Sequence, residues 1–181
     1  MTDIIKNPRG IPSAPFVNQV EEYVHGEDTV QVVLQRFTET VSKYRFMENS
    51  VNSRKKSIKE KIPEIKKSLD MLELLKAKQE EEDEEEAKLT VHYELNDTLY
   101  AKAAIPKTDK VGIWLGANVM LEYTLDEAEE LLSSKLSSAQ TTLQQLTEDS
   151  EFLKCQITTM EVNIARVYNW DVKQRRTTKT Q

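Results

Sequence analysis

Two stretches of this chain carry the same apolar 4-3 beat over the same distance, and a segment of different period lies between them. In the first stretch, Val30, Leu34, Phe37, Val41, Tyr44, Val51, Ile58, Ile62, Ile65, Leu69 and Leu72 fill eleven of the thirteen positions stepped by four and three. In the second, Leu125, Leu132, Leu136, Ala139, Leu143, Leu146, Leu153, Ile157, Met160, Ile164 and Val167 fill eleven of thirteen. A seam that recurs every 3.5 residues is how one long helix buries a stripe against another. The two arms each cover 43 positions, and equal length predicts that they pair with each other.

The composition suits a rod better than a globule. Of 181 residues, 38% are hydrophobic and 31% charged, against about 45–50% apolar in ordinary globular domains. A coiled-coil seam needs only about two apolar positions in seven. The net charge of −6 argues against a nucleic-acid binder, which would carry a basic face. A single cysteine, Cys155, permits no internal disulfide and fits a reducing compartment. It falls between seam positions 153 and 157, where a packed or flanking thiol is the ordinary reading. Residues 1–15 lack the apolar core of a secretory signal, and no stretch is apolar for the length of a membrane span. The expected setting is cytoplasmic, with a nuclear role left open, away from membrane and nucleic acid.

Along the chain, residues 1–27 form a leader with Pro8, Pro12 and Pro15 ahead of Phe16, Val17, Val20, Tyr23 and Val24. It reads either as a partly disordered tail with a short helix near residues 18–25, or as a cover for apolar residues elsewhere. The first long helix is expected over 28–78, capped by Asp28 with Gln31. Pro63 lies inside it and removes one hydrogen bond; because the seam keeps its phase there, the expectation is a kink in one helix, not two helices. Residues 79–87 form a linker around the acidic run Glu80–Glu86.

Over 88–123 the period changes to two. Leu89, Val91, Tyr93 and Leu95 alternate with polar residues, and Leu99, Ala101, Ala103 and Ile105 form a second alternating row. Asn96-Asp97 and the stretch 106–110 are turn signals. Val111–Leu115 and Val119–Tyr123 follow, separated by Gly116-Ala117-Asn118. The result is four short strands in two hairpins, too few to bury both faces alone. The apolar set Ile113, Trp114, Leu115, Val119, Met120 and Leu121 therefore predicts assembly with other chains. The second long helix is expected over 124–173, opened by the capping box from Thr124 to Glu127, with 174–181 a disordered tail. The fold class is thus mainly α with a small β part: a long antiparallel two-helix coiled coil with two hairpins at one end.

Antiparallel pairing aligned on Val30 with Val167 and Leu72 with Leu125 places residue i near 197 − i. The free end then carries more apolar groups than a two-helix seam covers: Val32, Val33, Phe46, Met47, Val162, Tyr168 and Trp170. Surplus apolar surface predicts contact with another apolar surface, unless the leader folds over it. The stretch from Arg54 to Lys67 has seven Lys/Arg against two Glu, which reads as a solvated face. Chemistry is sparse. His25, His92 and Cys155 cannot make a zinc site from one chain, and no phosphate-binding, dinucleotide or zincin motif occurs. No catalytic, cofactor or metal residue is assigned, and an enzyme is not expected.

Several longer words carry a resemblance: Gly10-Ile11-Pro12 with Phe16-Val17, Tyr44-Arg45-Phe46-Met47-Glu48, Ile62-Pro63-Glu64-Ile65-Lys66, Thr108-Asp109-Lys110-Val111, the run Trp114 to Tyr123 (WLGANVMLEY), and Val167 to Lys173 (VYNWDVK). On these the chain resembles the α-class prefoldin subunits; the N-terminal end and residues 79–90 depart from the pattern. The resemblance implies a subunit of a heterohexameric co-chaperone with one further α-class and four β-class partners. Its hairpins would complete an intersubunit β-barrel, with Trp114, Leu115, Val119, Met120, Leu121 and Tyr123 as assembly residues. Six coiled-coil arms would hold unfolded actin and tubulin for the cytosolic group II chaperonin, without ATP or cofactor. From the antiparallel geometry, the client-binding tip is expected to comprise Val30, Val33, Phe37, Ile164, Val167, Tyr168 and Trp170. A structural coiled-coil adaptor, bridging folded partners in a tethering or cytoskeletal complex, is the competing reading.

Overall fold

The structure is a computed structural model that describes residues 7–24, 29–82 and 88–179. Two long helices frame it, α1 (Val30–Glu80) and α2 (Leu125–Lys179). Between them lie β1 (Leu89–Asn96), β2 (Leu99–Ile105), β3 (Lys110–Gly116) and β4 (Val119–Thr124). The strands form two separate two-stranded antiparallel sheets, β1 with β2 and β3 with β4. The chain divides into a terminal unit, residues 1–57 with 143–181, and a hairpin unit, residues 58–142.

The seam shows in the burial. All thirteen stepped positions of α1 from Val30 to Leu72 are buried or half-buried, including the polar Glu48 and Lys55; on α2 only Glu129 of the thirteen is exposed. α1 stays one helix through Pro63, with Ile58, Ile62, Ile65 and Leu69 still in phase. Proline removes one donor there, while the half-buried apolar stripe keeps its spacing on both sides of it.

The helix ends differ from the expected ones. α1 begins at Val30, behind Thr29, whose carbonyl accepts from the Val32 and Val33 amides; the expected Asp28 cap lies outside the described residues. It continues to Glu80, and the acidic run from Asp83 onward also lies outside them. α2 does not stop near Lys173 but reaches Lys179. Asp171 and Arg175 pair one turn apart at 2.7 Å, and cations in the last turns suit the negative end of the helix dipole.

The start of α2 follows the expected capping box. The Thr124 hydroxyl accepts from the Glu127 amide, and the Glu127 carboxylate accepts from the Thr124 amide at 3.0 Å and from its hydroxyl at 2.9 Å. These bonds hold the Glu127 carboxyl below the usual carboxylate range. Strand β4 thereby runs into α2 with no linker.

The antiparallel register is shifted from 197 − i. Asn52, expected opposite residue 145, accepts from the Ser150 hydroxyl; Lys76, expected opposite residue 121, bonds Asp126 at 2.5 Å and also Glu129. Arg45 pairs with Glu161 at 2.7 Å. Each partner lies five or more residues further along α2. A heptad seam slides by about one repeat without losing its apolar match, so periodicity alone could not choose the register.

Candidate functional site

Two surfaces stand out, one in each unit. In the hairpin unit, Leu72, Leu125 and Ala128 form a small core against which Leu75, Val111, Ile113, Tyr123 and Leu132 pack. Val111 stands opposite Tyr123, and with Ile113 they rest one face of the second hairpin on helix residues, while Leu121, opposite Ile113, is left exposed. The other face carries the directly opposed pair Trp114 and Met120, exposed at 57% and 58%. An open groove of about 590 Å³ runs beside it, lined by Ile65, Met71, Leu72, Ile113, Trp114 and Leu132 among others. Leu115, Val119 and Leu121 are exposed as well, and so are Tyr93, Leu95, Leu99 and Tyr100 of the first hairpin. Of the six expected assembly residues, five are therefore free surface in the single chain, and Tyr123 is shared with the local core.

The β3–β4 turn aims this surface. Ala117 and Asn118 have φ of 49° and 62°, the two left-handed residues of a tight hairpin loop whose twist matches the strands. Asn tolerates this conformation, whereas a Cβ at Ala117 is held there at a cost of about 1–2 kcal/mol.

The terminal unit is organised differently. Val33, Phe37, Val41 and Tyr44 of α1 and Leu153, Ile157, Met160 and Val167 of α2 form a core that two leader residues, Val17 and Val20, complete. Val17 is fully buried. The leader is thus the cover anticipated as one of its two courses, and among its described residues, 7–24, the only helical piece is a 3-10 turn, Val20–Glu22, not a helix over 18–25; His25 and Gly26 lie outside the described residues.

A ladder of side chains on α2 fixes this leader. Asn7 Nδ2 and Arg9 Nε donate to Asp149 at 2.6 and 2.7 Å, and Arg9 Nη2 reaches Glu148 at 2.9 Å. Gln156 accepts from the Ala14 amide at 2.7 Å. Asn163, fully buried, accepts from the Val17 amide at 3.0 Å and donates to the Pro15 carbonyl at 2.7 Å. Trp170 Nε1 donates to Glu21 at 2.7 Å. Asp149, Gln156, Asn163 and Trp170 recur every seven residues, which returns to nearly the same helix face. The rungs span about 31 Å of helix at 1.5 Å per residue. Leader residues 9–21 can reach about 40 Å when extended, so the leader lies nearly extended and runs parallel to α2. From α1, the Tyr44 hydroxyl donates to the Pro12 carbonyl at 3.0 Å, and burial raises its pKa. Among the described residues, no buried side-chain polar atom lacks a partner.

This arrangement redistributes the expected client-binding tip. Val33, Phe37 and Val167 are buried; Val30, Ile164 and Trp170 are half-buried beside the leader; Tyr168 alone of the seven is exposed, at 58%. Phe16, Val32, Phe46 and Val162 are also exposed, Phe46 at 77%, and Arg166 lies over the Phe16 ring at 5.0 Å. The seven-residue spacing of Asp149, Gln156 and Asn163, polar residues beside an apolar seam, was the available signal for the ladder. Cys155 is exposed on the flank of the seam.

Comparison with known proteins fits this geometry. The family model described as Prefoldin subunit matches residues 44–170. A protein named Prefoldin subunit 3 from Elsinoe fawcettii is 56% identical over 174 residues, covering 96% of this chain and 86% of its own length. Those of the same name from Saccharomyces cerevisiae and Homo sapiens are 45% and 48% identical, covering 96% and 92% of this chain and 90% and 83% of theirs. Among solved structures, a chain of filamentous PFD from Methanocaldococcus jannaschii, at 20% identity, superposes with a TM-score of 0.53 over 70% of this chain and 98% of that one, a likeness of fold. Long helices, twin hairpins and 45–56% identity over nearly the whole chain together place it in the prefoldin family, among coiled-coil chaperone subunits.

Proposed function

We propose that the chain is an α-class subunit of a heterohexameric prefoldin, assembled through its hairpins with one further α-class and four β-class subunits. In this reading it holds non-native actin and tubulin without ATP and passes them to the cytosolic group II chaperonin. The observation that carries the assembly half is the exposure of Trp114, Leu115, Val119, Met120 and Leu121 on a two-stranded sheet. A sheet this small is marginal in water, and its open edges invite strands from another chain. Burying these side chains contributes about 1.5–3 kcal/mol apiece, enough in sum to hold a ring of subunits together.

The holding half rests on the terminal unit. Phe16, Val32, Phe46, Val162 and Tyr168 leave apolar surface in water. One such patch binds weakly; several on one frame bind a non-native chain by multivalency, and weak single contacts allow release to a second chaperone. A coiled-coil adaptor would explain the helices but not the exposed hairpin faces or the family match.

Native mass spectrometry after pull-down tests the assembly directly. A six-subunit set of small coiled-coil proteins is expected; a different complex would favour the adaptor. Within that hexamer, Phe46→Ser with Tyr168→Ser is expected to leave assembly intact and to raise several-fold the amount needed to keep denatured actin from aggregating. Unchanged protection would remove these residues from the client surface.

A further inference from the structure

The leader occupies its groove in a way that separates what is particular to its sequence from what any extended chain could supply. At the two ends the recognition is by side chain: Arg9 and Asn7 on Asp149 and Glu148, and Glu21 on Trp170. In the middle it is by main chain. Gln156 takes the Ala14 amide, Asn163 takes the Val17 amide and the Pro15 carbonyl, Tyr44 takes the Pro12 carbonyl, and Arg166 donates to the Asn18 carbonyl at 3.2 Å. Only one side chain, Val17, is wholly enclosed there, while the neighbouring Phe16 is half exposed. A groove whose middle reads backbone amides and carbonyls, and whose apolar floor takes small and medium side chains such as Ala14, Val17 and Val20, accepts extended, apolar-rich polypeptide of more than one sequence.

We infer that this groove between α1 and α2 is a peptide site for extended, apolar-rich segments of unfolded chains, and that the leader is its resident occupant, given up when a client segment takes its place. The inference rests on the client-holding reading above and names its site. Exchange has a further consequence, because lifting the leader bares Val33, Phe37 and Val167 beside Val30, Ile164 and Trp170. The chaperone thereby keeps its most apolar surface covered until an unfolded chain competes for it. The leader is a suitable competitor: it is tethered, so it rebinds readily when the client leaves, and one of its end contacts, Arg9 with Glu148, is an exposed ion pair that adds little affinity.

The test uses the assembled hexamer with the full chain. Hydrogen exchange at the Ala14 and Val17 amides is followed with and without chemically denatured actin. On client binding, these two amides are expected to exchange about tenfold faster or more, as their protecting bonds open. Client held with both amides still protected would overturn the inference and leave the client-holding function standing. A second arm replaces the subunit by one lacking residues 1–24 and adds a fluorescent peptide of residues 7–24. Saturable binding to the truncated hexamer is expected, with none to the full one at the same concentration, and Asn163→Leu in the truncated background is expected to weaken it about tenfold. No peptide binding by an intact truncated hexamer would overturn the site. Should truncation prevent assembly, the exchange measurement decides. Failure of the full hexamer to hold actin at all would instead overturn the proposed function, while the peptide arm would still read the groove.

Discussion

The hairpin unit and the terminal unit face the same problem and resolve it in opposite ways. Each has more apolar side chains than its own regular elements can bury. The two hairpins leave nine large apolar residues exposed, from Tyr93 to Leu121. The terminal unit recruits a segment from well over a hundred residues away in sequence and closes a ten-residue core with it. The difference lies in what is at hand. A two-stranded sheet has open edges and no third layer, so its outer side chains stay in water in the single chain. A helix pair with a polar ladder beside its seam can bind an extended strand of its own chain. The apolar face is thus left exposed in one unit and covered by an internal partner in the other.

Breaking the first half of this contrast should have the largest effect. Trp114→Asp places a charge on the uncovered face and is expected to abolish co-purification of the other prefoldin subunits, with helicity by circular dichroism almost unchanged. A retained hexamer would show that this face is not the joint.

Breaking the second half should cost less. Asn163→Ala leaves the Val17 amide and the Pro15 carbonyl without partners beside a fully buried valine. An orphaned buried polar group costs about 1–3 kcal/mol, so the leader should loosen. Faster exchange at Val17 is expected, with the hairpin amides unaffected; parallel loss in both units would mean that they unfold as one.

Two smaller changes sharpen the comparison within the hairpin unit. Thr124→Ala removes the cap where β4 becomes α2, an expected loss of about 1 kcal/mol seen as faster exchange in the first turn of α2. The same cap has a pH signature. Because the folded Glu127 carboxyl titrates below its ordinary value, its contribution is fully present above the ordinary glutamate range. It is lost as pH falls through the depressed value. Thr124→Ala should therefore flatten the acid limb of stability for this helix end, and an unchanged limb would remove Glu127 from the cap. Ala117→Asn relieves the left-handed strain at the β3–β4 turn and is expected to stabilise that hairpin by up to about 1 kcal/mol, measurable as a raised midpoint of unfolding.

Local periodicity was enough for the regular elements. The 4-3 beat announces both helices, and the change to period two announces both hairpins; Gly116-Ala117-Asn118 and the Thr124–Glu127 pair mark the turn and the cap. Each of these signals acts over a few residues, where the side-chain spacing of a helix or strand leaves little choice. The exposed hairpin face was legible for the same reason, since four short strands cannot enclose Trp114 and Met120. The register of α1 on α2 was not, because a repeating seam offers several near-equal alignments. Nor could local pattern choose the leader's course between tail and cover. That outcome hangs on Asn163 meeting Val17 and on Asp149 meeting Arg9, contacts between residues 146 and 140 positions apart in sequence, which exist only once the helices have come together and left a groove between them.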